Sequence, residues 1–125
     1  MVKMPRGFTL IEIMVVMAII ATLMTLVAPR YINSVQNSRE TLLHHDLEHL
    51  REAIDQYFAD RGRYPDTLDE LVKRQYIRRV PPDPVTGSAD TWITMSPRDG
   101  SPGRVFDIKS GAPGTALDGT AFSDW

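Results

Sequence analysis

Between Leu10 and Ala28 the chain reads LIEIMVVMAIIATLMTLVA, nineteen residues carrying a single charge. As a helix rising 1.5 Å per residue the run extends about 28 Å, close to the thickness of a bilayer's hydrocarbon core. A membrane-spanning helix is therefore the first expectation, and it leaves only a small soluble fold for the rest of the 125 residues. A secretory signal would place small residues for cleavage after a shorter apolar core; here Lys3 and Arg6 lead directly into a run of full spanning length. Those cations favour retaining residues 1–7 in the cytoplasm and sending the C-terminal part outward, with Arg30 on the far side weakening the asymmetry.

Glu12 is the informative residue of the run. A carboxylate inside a membrane helix costs about 2.5–3.5 kcal/mol on insertion scales and is usually kept for a partner or a function. No cation lies one helical turn away in either direction. Its partner is then an ammonium group from another chain, or from this chain's own N-terminus if cleavage creates one nearby. Snorkelling to the interface is the alternative, since Glu12 sits close to the helix end.

The net charge of −2 and a pI near 5.9 give no basic field for nucleic acid, and the Lys and Arg residues are interspersed with acids. With no cysteine there is no disulfide framework, thiolate metal site or cysteine nucleophile. His45-Asp46-Leu47-Glu48-His49 fits the short zinc-protease pattern H-x-x-E-H. The only other histidine, His44, falls on a different helix face, and about 75 downstream residues are too few for a protease cleft. A polar helix face is the better reading, with Arg51 and Asp55 spaced for an i,i+4 pair.

Pro29 ends or kinks the apolar helix. The recurrence of Val35, Leu42, Leu43, Leu47, Leu50, Ile54, Tyr57 and Phe58 at spacings of three, four and seven favours a kink, with an amphipathic continuation over 30–61. Gly62 supplies a left-handed cap and Pro65 forbids continuation. Thr67 and Glu70 form a capping box for a short helix whose apolar face is Leu68, Leu71 and Val72. Residues 80–87, VPPDPVTG, read as a surface loop, and 91–95 and 104–109 as an antiparallel hairpin. The expected class is α+β, a long helix packed by its upper half against a small domain over 62–125.

Arg6-Gly7-Phe8-Thr9-Leu10-Ile11-Glu12 resembles the prepilin cleavage and methylation motif shared by type IV pilins and type II secretion pseudopilins. The resemblance implies removal of a leader, residues 1–7, by a prepilin peptidase between Gly7 and Phe8, N-methylation of Phe8, and a core helix over 8–29. It also implies pairing of Glu12 with the Phe8 amine of a neighbouring subunit, and a helix that loosens near Pro29 during packing. Arg63-Tyr64-Pro65 and Pro82-Asp83-Pro84 look like the post-helix turn and pre-sheet loop of the major pseudopilins, extending the likeness over nearly the whole chain.

The implied protein is a structural subunit and not an enzyme. It would be single-pass in the inner membrane with its C-terminus periplasmic, polymerising with itself and with other pseudopilins on an inner-membrane assembly platform. A type IV pilin or minor pseudopilin, and a membrane-anchored periplasmic binding module that never polymerises, are the alternatives. The tail 110–125 is poor in apolar residues. Major pseudopilins hold this region with calcium, which would assign Asp118 and Asp124 as ligands with help from Ser110, Thr120, Ser123 and backbone oxygens. Pinning by Leu117, Phe122 and Trp125 is the metal-free alternative.

Overall fold

The computed structural model describes residues 4–125, so Met1–Lys3 of the expected leader lie outside the described residues. Its elements are α1 (Leu10–Arg61), α2 (Leu68–Lys73), β1 (Trp92–Met95), β2 (Asp107–Ser110) and a closing 3-10 turn over Phe122–Asp124. This is the expected α+β arrangement. By its contacts the chain divides after Val35, six residues beyond Pro29, into an N-terminal unit and a second unit over Gln36–Trp125.

In the N-terminal unit every side chain from Met4 to Ser34 is exposed. The most apolar stretch of α1 has a mean hydropathy of 2.6. Helix continues through Pro29, although proline has no N–H to return to the preceding turn. The hydroxyls within the run turn back on the helix: Thr22 Oγ1 donates to the Ala18 carbonyl at 2.8 Å and Thr25 Oγ1 to that of Thr22 at 2.6 Å. Each threonine thereby satisfies its own hydrogen-bonding group without water, as an apolar environment requires.

The second unit is built on the other part of α1. Leu43, Leu47, Leu50, Ile54 and Tyr57 are all at most 2% exposed and form one face of the helix. Leu71, Ile77, Trp92, Val105, Ile108, Ala112, Ala116 and Phe122 complete the core. Leu42 departs from the expected stripe: it is half exposed, and Ala53 is buried on that face in addition. Gly62, at φ +69°, ends α1 with its N–H donated to the Phe58 carbonyl at 2.8 Å.

Thr67 caps α2 as expected, its Oγ1 accepting from the Glu70 N–H at 3.3 Å. Glu70 reaches back one residue further than a standard box, taking the Asp66 N–H at 2.8 Å, and also accepts from the Tyr57 hydroxyl. That hydroxyl is the main reason the Glu70 carboxyl is held below its usual range, while burial is the main reason the Tyr57 phenol is raised.

At its other end α2 closes in a Schellman arrangement, Tyr76 N–H to Leu71 O at 2.9 Å and Gln75 N–H to Val72 O at 3.1 Å. This places Gln75 at φ +65°, left-handed backbone that glycine adopts without strain. Gln75→Gly is therefore expected to stabilise the unit by about 1 kcal/mol, read as a rise in the urea midpoint at unchanged m-value.

β1 and β2 pair antiparallel with Trp92 opposite Ser110 and Met95 opposite Asp107. The second strand begins later than the hydropathy pattern suggests. The N–H groups of Arg104 and Val105 donate to the Pro65 carbonyl, at 3.2 and 2.9 Å, and so are unavailable to β1. The Tyr64 N–H donates to Pro102 O at 2.9 Å from the other side, so 102–105 lies along the turn that follows α1. The 80–87 loop also differs from a simple surface loop. Asp83 is fully buried, its carboxylate accepting from the N–H groups of Val85 and Thr86 and from the Ser110 hydroxyl.

Candidate processing and assembly site

Residues 4–9 precede the helix with no regular structure, and Gly7 and Phe8 fall in this exposed stretch, Phe8 at 85% exposure. A Cβ at Gly7 would meet nothing within 4 Å. Its φ is not in the left-handed region either. Nothing in the described fold therefore requires glycine at position 7.

Glu12 has a partner within its own chain that the sequence reading did not supply. Its Oε2 accepts from the Thr9 N–H at 3.2 Å, and Thr9 Oγ1 accepts from the Glu12 N–H at 3.2 Å. Thr9 is the N-cap and Glu12 the third helical residue, a reciprocal capping box that satisfies two of the orphan donors at the helix start. The positive end of the helix dipole falls at the same place, which favours a carboxylate there. Thr-x-x-Glu ahead of an apolar run was legible as a start signal at residue 9, as it was at residue 67. Phe8, Ile11, Glu12, Val15 and Val16 line one open, largely apolar groove beside this start.

The tail is anchored to α1 by side chains. Glu40, buried at 8% exposure, accepts from the Leu117 N–H at 2.8 Å and from Gln36 Nε2 at 3.1 Å. Arg51 donates to Asp107 Oδ1 at 2.9 Å, to Ile108 O at 2.9 Å and to Trp125 O at 2.8 Å. It thus takes partners from β2 and from the tail, and the expected pair with Asp55 does not form. His44 stacks on the Trp125 ring, centroids 3.8 Å apart. Phe122 is buried as the metal-free alternative requires, whereas Leu117 is 54% exposed and Ala112 and Ala116 fill the core there.

Asp118 uses Oδ1 within its own turn, accepting from Thr120 Oγ1 at 2.6 Å and from its N–H at 2.9 Å, bonds that hold its carboxyl below the usual range. Ser110, offered as a calcium ligand, spends its hydroxyl on Asp83, and Thr120 Oγ1 also accepts from Trp125 Nε1 at 2.8 Å. Calcium takes six to eight oxygen ligands. Among the described residues no three carboxylate or imidazole groups come together in a way that could hold a metal ion.

An exposed glycine–phenylalanine junction leads into a capped helix whose apolar first part is exposed as far as Ser34, a layout consistent with a membrane-anchored prepilin-like protein. Residues 3–28 match the family model for the prokaryotic N-terminal methylation motif. The chain is 36% identical to type II secretion system core protein G of Pectobacterium carotovorum subsp. carotovorum, over 75% of this chain and 60% of that protein. It is 35% identical to the protein of the same name from Dickeya chrysanthemi, over 79% and 65%. With the Klebsiella pneumoniae protein the identity is 34% over 96% of this chain and 94% of the relative. The first two alignments reach less than two thirds of those relatives' length. No solved structure gives a significant match. The chain belongs to the type II secretion core protein G family, the major pseudopilins.

Proposed function

We propose that this chain is stored in the inner membrane, cut between Gly7 and Phe8 by a prepilin peptidase, N-methylated on Phe8, and polymerised with itself and other pseudopilins into a periplasmic filament that supports protein export. Its role is structural, with α1 as anchor and then as filament core, and no catalysis is assigned to it. The observation that carries this reading is the N-terminal unit itself: residues 4–34 are uniformly exposed and mostly apolar, so they need a bilayer or other copies of the same helix around them. Gly7 adds support, because a glycine without a folding role at the junction suits recognition by a processing enzyme. Mass spectrometry of the mature N-terminus from cells that also make the peptidase is expected to return methylated phenylalanine corresponding to Phe8. An intact Met1, or a cut beyond Ala28, would remove the reading.

For the tail, we propose closure by Glu40, His44 and Arg51 without a metal. The thermal transition of the full chain in detergent is then expected to be the same in calcium and in chelator. A midpoint higher by several degrees in calcium would overturn this closure and assign Asp118 and Asp124 as its ligands.

A further inference from the structure

His45 and His49 do not make a protease site, and the pseudopilin reading leaves them without a role. Both are exposed on α1, one turn apart, with ring centroids 6.4 Å apart and planes within 14° of parallel. Among the described residues no hydrogen bond holds either ring, whereas His44 is occupied by its stacking on Trp125. His49 also borders a shallow cleft of about 270 Å3 with Glu52, Ala53, Gln56 and Tyr76, room for an ion that keeps part of its water shell.

We infer that His45 and His49 form a two-imidazole site on α1 for a divalent cation of the borderline class, Cu2+ before Ni2+ or Zn2+, whose other positions are filled by water. Two donors suffice for such an ion, unlike calcium, because each metal–imidazole bond is strong. Metal–nitrogen bonds of about 2.0–2.1 Å require the two donor nitrogens about 3 Å apart. Side-chain rotation closes the rings to that spacing, since neither is packed. The helix holds the second imidazole within a turn of the first, so the pair binds more tightly than one ring by the effective-concentration effect.

The site does not depend on the processing or polymerisation reading. Its test is titration of the purified full chain in detergent with Cu2+ and Zn2+ alone, near neutral pH, followed by calorimetry, with paramagnetic resonance of the copper form. Wild type is expected to bind one equivalent, with two equatorial imidazole nitrogens in the copper spectrum. H45A and H49A are each expected to weaken binding about tenfold or more and to lose one of those nitrogens, with helix content unchanged by circular dichroism. H49Q serves as a second variant if alanine alters the fold. Binding by either single variant that equals wild type, or wild-type binding no tighter than that of the double variant, would overturn the assignment.

Discussion

Gly103→Ala is expected to destabilise the Gln36–Trp125 unit by about 3–5 kcal/mol, one of the larger effects a single methyl group can have on a small fold. Two costs coincide. Gly103 holds φ at +106°, outside the backbone region open to side-chain-bearing residues, and a Cβ there would lie 2.2 Å from the Tyr64 carbonyl oxygen and 2.6 Å from its carbon. The obstacle is backbone, so no rotamer change relieves it. Movement of the 102–105 segment would instead break the bonds from Tyr64 N–H to Pro102 and from Arg104 and Val105 to Pro65, and would withdraw Val105 from the core. For a unit of this size such a loss corresponds to a fall of at least about 12 °C in the thermal midpoint. Gly62→Ala is the internal comparison: φ is +69° but nothing lies within 4 Å of the added methyl, so only the strain of about 1–2 kcal/mol is expected. Equal melting of the two variants would mean that the 102–105 approach to Tyr64 is not part of the native fold.

That approach also marks where sequence reasoning ran out. Local signals were legible: the face from Leu43 to Tyr57, the Gly62 stop, the Thr67–Glu70 start and the two strands with their antiparallel sense all follow from periodicity and capping over a few residues. What escaped depends on partners far along the chain. Arg51 had an acid at i+4 in the sequence, yet its guanidinium reaches Asp107, 56 residues on, because the fold brings several acceptors to one fork. Asp83 looked like a loop residue, and nothing nearby in sequence announces that Ser110 will cover it. Leu42 and Leu117 read as core because they are apolar, but hydropathy does not tell a residue beside the buried face from one on it. The Thr9–Glu12 box is a different case, since both partners lie within one turn and the Thr-x-x-Glu pattern is present in the sequence.

That box makes the Glu12 experiment sharper. On the proposed reading, Glu12 acts twice, as a cap for its own helix and as the anion that receives the Phe8 amine of a neighbour. Glu12→Ala removes both roles. Glu12→Gln keeps an oxygen able to accept from the Thr9 N–H but removes the charge, and Thr9→Val removes only the hydroxyl half of the cap. Losing a cap costs about 1 kcal/mol, whereas leaving one member of a desolvated ion pair without its partner costs about 3–5 kcal/mol. If charge pairing drives assembly, Glu12→Ala and Glu12→Gln are expected to lower the filament fraction alike, by about 100-fold or more, and Thr9→Val by about tenfold or less. Shearing and pelleting filaments from cells that overproduce each variant, with secretion of an exported enzyme measured alongside, reads both outcomes. Near-normal assembly with Glu12→Gln, combined with failure of Thr9→Val, would reassign Glu12 to helix capping and leave the Phe8 amine without its proposed partner.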